Sequence, residues 1–122
     1  LALALDKDPS PPPFTIALAH MPTALFPLAD LGVPILLAGH THAGQVRLSP
    51  RFAPHTSSDL PPHLASGILQ YRSILCAISR GLGDGVLEGL RINCPPHIPL
   101  YTLRNGPLPG TPSETITQVV AW

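Results

Sequence analysis

The segment "FTIALAHMPTALFPLADLGVPILLAGHTHAGQ", residues 14–45, carries a strand, a short helix and a second strand in succession. Residues 14–20 are β-branched and apolar, with prolines before and "MP" after, which predicts a buried strand ending at His20. In residues 23–32, Leu25, Leu28 and Leu31 share one side of a short helix, with Thr23 as its N-cap and Gly32 as its stop. Pro27 fits this helix only in the first turn. "VPILLAG", 33–39, is a second buried strand. Together they form a βαβ unit, whose two strands are predicted to be parallel.

Ligand sites in open α/β sheets form at the carboxyl ends of parallel strands. His20 ends the first strand, and His40 and His42 follow the second, so three imidazoles are expected at one edge. His40 and His42 are two residues apart, and an extended backbone would point both the same way. Gly39 and Gly44 would let the chain turn tightly there. Neutral imidazole is a common metal ligand, and three of them suit Zn, Mn or Fe better than Ca or Mg. The competing reading of each is a hydrogen-bonded structural histidine; their convergence favours a metal. His55, His63 and His97 lie in proline-rich stretches and read as solvated loop residues.

Downstream, 45–49 alternates like a half-exposed strand, 50–70 reads as a loop, and 71–81 as a strand. "GLGDG", 81–85, is a turn without the lysine of a phosphate loop, and 97–103 is a last strand. Cys76 and Cys94 read as buried small hydrophobes, not a disulfide framework.

The chain has 122 residues, with seven basic and seven acidic side chains, six histidines and 17 prolines. Zero net charge gives no electrostatic signal for nucleic acid or an anionic membrane. The prolines exclude a long helical bundle, and no stretch is long and apolar enough for a membrane span. "LALAL", 1–5, is too short for a signal sequence and precedes acidic residues. A start at Leu1 fits a piece of a longer protein.

"IALAHMPTALFPLADLGVPILLAGHTHAGQVRLSP", followed by "SRGLGDGVLEGLRINCPPHIPLYTL", resembles the C-terminal half of calcineurin-like metallophosphoesterases, nearest to a bacterial branch often tethered to membranes. The likeness covers about residues 14–103. It implies an α/β fold, the C-terminal half of a four-layer α/β/β/α sandwich. It divides the chain into a linker or end of a preceding segment (1–13), the C-terminal part of the phosphoesterase domain (14–105) and a proline-rich tail (106–122). It implies two divalent metal ions (Mn, Zn or Fe), with His20 and His40 on one and His42 on the other. Such ions would clamp the phosphoryl group of a mono- or diester substrate and acidify a bridging water. Arg47 and Arg80 are candidates to hold substrate phosphate; solvated surface arginines are the alternative.

The aspartate–histidine motif, bridging aspartate and asparagine that complete the family's site have no counterpart here; Asp6 and Asp8 precede His20 outside any such motif. Met21 and Thr23 stand where the family often has Asn and Asp, Ala43 where it has a second glycine, and His97 where it has an acid. A missing N-terminal half or a second chain would have to complete the site, and any membrane tether would lie outside this segment. Three readings stay open: a metal-dependent phosphoesterase fragment inactive alone, a non-catalytic remnant, and a mononuclear metal-binding module.

Overall fold

The computed structural model describes residues 14–83 and 89–122. The expected linker 1–13 with Asp6 and Asp8, and part of the 81–85 turn, lie outside the described residues. The rest is a small mixed α/β domain built on one five-stranded sheet. Its strands are β1 (Ile16–Leu18), β2 (Ile35–Ala38), β3 (Gly67–Tyr71), β4 (Ile74–Ile78) and β5 (Thr117–Val120), in the order β1-β2-β4-β3-β5. Strands β1, β2 and β4 run parallel, with Ile16 opposite Ile35 and Leu36 opposite Cys76. β3 is antiparallel to β4, and β5 is antiparallel to β3 along the far edge.

The βαβ unit forms with its strands parallel, but β1 is not the buried strand expected: it ends at Leu18, and Ile16 and Leu18 are exposed because it lies at the edge of the sheet. Its helix is shorter than expected: a 3-10 turn (Pro22–Ala24) leads into α1 (Leu25–Asp30). Thr23 is not the N-cap; it lies within the 3-10 turn, which Pro22 initiates without any side-chain cap. Pro27 sits in the first turn of α1, where its missing N–H breaks no bond. Gly32 turns out of the helix with φ +71.

One sheet face is a sealed core. Leu36, Leu69, Ile74, Cys76 and Ile78 pack there against Leu25 and Leu28 of α1 and against Leu60 and Leu64. Ile16, Ile35, Leu37, Leu75 and Ala77 point to the opposite face, where residues 97–104 run along an open, mainly apolar cleft of about 840 Å³. Phe14, Leu18 and Leu100 are largely exposed. Among the described residues, no helix is long and apolar enough to cross a membrane.

Three expectations for the rest of the chain fail. Residues 45–49 form only isolated bridges, Val46 with Ile92 and Ser49 with Phe52, because the chain curls instead of extending. Residues 97–103 likewise join no sheet, and only His97 bridges Gly81. The supposed loop 50–70 contains most of β3; the strand expected over 71–81 is present as β4, shortened by the hairpin turn at Arg72 (φ +49). β3 is hard to read because it carries the fully buried Gln70. The Gln70 amide exchanges two hydrogen bonds with the backbone of Gly110, donating to its carbonyl and accepting from its N–H, both at 2.9 Å. That pairing satisfies a polar group which would otherwise be costly to bury, and it ties the 106–122 stretch to the sheet. The stretch then supplies β5, whose Gln118 amide donates to the Ser66 carbonyl at 2.7 Å.

Candidate functional site

His20 and residues 39–45 lie at the carboxyl ends of β1 and β2, as the parallel pairing requires. The Gly39 N–H donates to the His20 carbonyl at 3.3 Å, continuing the β1–β2 ladder past the ends of both strands. Beyond Gly39 the backbone is not extended. His40 (φ +67), His42 (φ +46), Ala43 (φ +53) and Gln45 (φ +54) all adopt left-handed conformations around right-handed Thr41. Each costs a non-glycine residue about 1–2 kcal/mol, so the surroundings must hold the loop in place. Buried Thr41 does much of this: its hydroxyl donates to the Ala65 carbonyl at 2.6 Å and accepts from the Ala43 N–H at 3.2 Å. The Cys94 thiol donates to the His42 carbonyl at 3.2 Å.

The expectation that His40 and His42 point the same way is therefore corrected. Reversing the backbone hand at Thr41 splits the pair. The His40 ring lies edge-to-face on His20, with ring centroids 4.5 Å apart. The His42 ring instead lies near Gly81, and its Nδ1 is 3.5 Å from the Arg91 guanidinium. Among the described residues, no three His, Cys, Asp or Glu side chains gather as a metal-holding group.

The chemistry of each ring is readable. The Nε2 of His40 lies 2.8 Å from the Ser57 carbonyl, which can only accept, so Nε2 carries the proton and Nδ1 keeps a free lone pair. Metal-binding histidines commonly have this arrangement, in which the second nitrogen donates to a carbonyl and fixes the tautomer. Zn–N bonds of about 2.1 Å put two imidazoles on one tetrahedral ion with centroids roughly 5 Å apart. The His20 and His40 centroids, at 4.5 Å, lie near that separation. His42 fits less well: a guanidinium can only donate, so the Nδ1 facing it accepts. Ligation through Nε2 would require Arg91 to give way.

Beside His40, a cavity of about 460 Å³ is lined by Met21, His55, Ser57 and Asp59 among others. His55 accepts from or donates to the Ser57 hydroxyl at 2.8 Å.

The two candidate arginines sit in a different place. Arg47 and Arg80 line a cleft of about 550 Å³ that none of His20, His40 and His42 lines. Arg47 is buried, and its guanidinium donates to the carbonyls of Ala43 (2.9 Å), Pro62 (3.4 Å) and Pro50. It closes the loop that carries the histidines, so it is neither a solvated surface arginine nor a free hand for phosphate. Burial pushes its pKa down, partly opposed by Cys94 and reinforced by Arg80. Arg80 is only partly buried, and its side chain makes no hydrogen bond among the described residues. His97 is not a solvated loop residue. It stacks on Trp122 at 5.1 Å, and burial followed by the Arg80 charge lowers its pKa. The sequence reading missed Arg91, Ser57 and Trp122. Only Trp122 left a signal, as the single tryptophan of the chain.

No family model matches the chain, and no solved structure matches it. Over 92 residues it is 35% identical to the uncharacterized metallophosphoesterase YkuE of Bacillus subtilis, a match covering 75% of this chain and 32% of that protein. The chain thus spans about a third of the length of that relative.

Proposed function

This chain is a relative of the calcineurin-like metallophosphoesterases, and from that premise we propose that it forms the histidine-bearing part of a dinuclear phosphoesterase site. In this reading His20 and His40 hold one divalent ion, His40 through Nδ1, and His42 serves the other. The observation that carries it is the His20–His40 ring pair at 4.5 Å, with His40 oriented by the Ser57 carbonyl. Two such ions would supply a Lewis-acidic clamp on a phosphoryl oxygen and lower the pKa of an attacking water.

The chain's own residues do the positioning. Thr41, through Ala65 and Ala43, holds the left-handed loop so that His40 turns toward His20 and His42 away from it. Arg47, tied to three carbonyls, locks the C-terminal flank of the same loop. The divergence of the two loop histidines favours two sites over a single ion gathered by all three. The carboxylates that would bridge the ions come from the rest of the protein or from a second chain, so residues 1–122 alone are inactive. The open apolar sheet face fits the same idea, because the second sheet of a four-layer sandwich would cover it. A phosphate mono- or diester is the substrate class, and the metals are Mn, Zn or Fe.

The test is hydrolysis of p-nitrophenyl phosphate and its bis-ester with Mn or Zn supplied. The 122-residue chain should show no turnover. Joining an N-terminal half that carries the aspartate motifs should restore it, and His40→Ala or His42→Ala should abolish it again. Robust metal-dependent turnover by the chain alone would overturn this reading.

A further inference from the structure

We propose that the cleft between the 47–50 loop, the end of β4 and Trp122 binds a phosphate group, held by the Arg80 guanidinium and the Trp122 indole. The cleft encloses about 550 Å³ and includes Arg47, His63, Arg80, Asn93, Gln118 and Trp122 in its walls. Among the described residues, no Asp or Glu side chain lines it. Two of its donors, Arg80 Nε and Trp122 Nε1, are buried without a partner. Native structures rarely leave buried N–H groups unsatisfied, and two on residues that line one cleft mark it as short of acceptors.

The charge balance points the same way. Arg47 is tied to three backbone carbonyls, so it adds positive potential from a fixed position. Among the described residues Arg80 has no carboxylate partner, and its charge bears on Arg47. An anion in the cleft would offset that repulsion and accept from Arg80 and Trp122 together. Around it stand the Asn93 and Gln118 amides and the Ser49 and Ser66 hydroxyls. Their amides are held in place: Asn93 donates to the Arg47 carbonyl at 3.0 Å and Gln118 to the Ser66 carbonyl at 2.7 Å. Guanidinium with several neutral donors suits an oxyanion with acceptor oxygens on all sides, which is the chemistry of phosphate rather than of a flat carboxylate. None of the three candidate metal ligands lines the cleft, so this binding needs no metal and goes beyond the hydrolytic reading above.

Trp122 is the only tryptophan of the chain, so its fluorescence reports from the cleft wall. The experiment titrates the full 122-residue chain with inorganic phosphate in EDTA at constant ionic strength. A saturable change in the ~mM range or below is expected. Arg80→Gln should weaken binding at least about tenfold, the worth of one charge-assisted hydrogen bond. Arg104→Gln, which removes the same charge outside the cleft, should leave it unchanged. Trp122→Phe keeps an aromatic ring but removes the N–H donor, and calorimetry should show weaker binding. Glycerol 3-phosphate binding more tightly than inorganic phosphate would assign the cleft to a phosphate ester; equal binding would assign it to the oxyanion itself. The proposal is overturned if the folded chain, checked by circular dichroism, gives no saturable response. It is also overturned if acetate binds as tightly, or if the two arginine variants behave alike.

Discussion

Gly39 and Gly44 flank the histidine loop symmetrically in the sequence, but only one of them needs to be glycine. Gly44 has φ +84, and a Cβ there would lie 2.6 Å from both the Ala53 Cβ and the His55 carbonyl oxygen. Gly39 has φ outside the left-handed region, and a Cβ there would meet nothing within 4 Å. Gly44→Ala therefore carries a left-handed penalty of about 1–2 kcal/mol. Overpacking against a backbone oxygen and a buried methyl adds about 1–3 kcal/mol. Restricting the unfolded chain returns only about 0.4–1 kcal/mol. The net expectation is a loss of about 1–4.5 kcal/mol, a large share of the total stability of a small domain. Gly39→Ala has the unfolded-state gain with no clash, so it should be neutral or slightly stabilising, by less than about 1 kcal/mol. The assay is urea unfolding followed by circular dichroism and Trp122 fluorescence, repeated over a dilution series to separate unfolding from association. A Gly44→Ala loss under about 1 kcal/mol, or equal effects at the two positions, would refute the strained-loop account of the site.

The remaining predictions concern titration and surface. Burial pushes the Cys76 thiol up to about 12 from an ordinary 9.0, so it should resist alkylation at pH 8 until the chain unfolds. Because the folded pKa is raised, the contribution of Cys76 is fully present below pH 9.0 and should fade as pH climbs toward 12, a loss absent from Cys76→Ala. Burial and the Arg80 charge hold His97 below its ordinary 6.5, so its contribution is present above pH 6.5 and is lost as acid protonates the folded state. His97→Phe should flatten that part of the stability profile; an unchanged acid limb would contradict it. With Phe14, Leu18 and Leu100 exposed beside an apolar cleft and β1 on a sheet edge, the chain by itself should self-associate. Sedimentation showing a monodisperse monomer at all concentrations would count against an uncovered sheet face.

The parallel β1–α1–β2 unit was legible because its information is local. Each strand is a short unbroken apolar run, the helix buries Leu25 and Leu28 on one side, and parallel pairing follows from the crossover; that β1 is exposed at the sheet edge was not legible. The same pattern placed His20 and His40 at one sheet edge, where their rings meet. β3 and β5 were not legible, because what makes them strands lies far away in the chain. Gln70 can be buried in β3 only because Gly110, forty residues on, accepts from and donates to its amide. β5 exists as a strand only because β3 offers it an edge. The divergence of His40 and His42 also needed tertiary structure. Spacing alone assumes one backbone conformation, whereas hydrogen bonds from Thr41 to Ala65 and from Cys94 to His42 hold a left-handed loop that no local propensity favours. Arg47 and Arg80 look alike in the sequence; only their surroundings make one a fixed brace among carbonyls and leave the other without a side-chain hydrogen bond among the described residues.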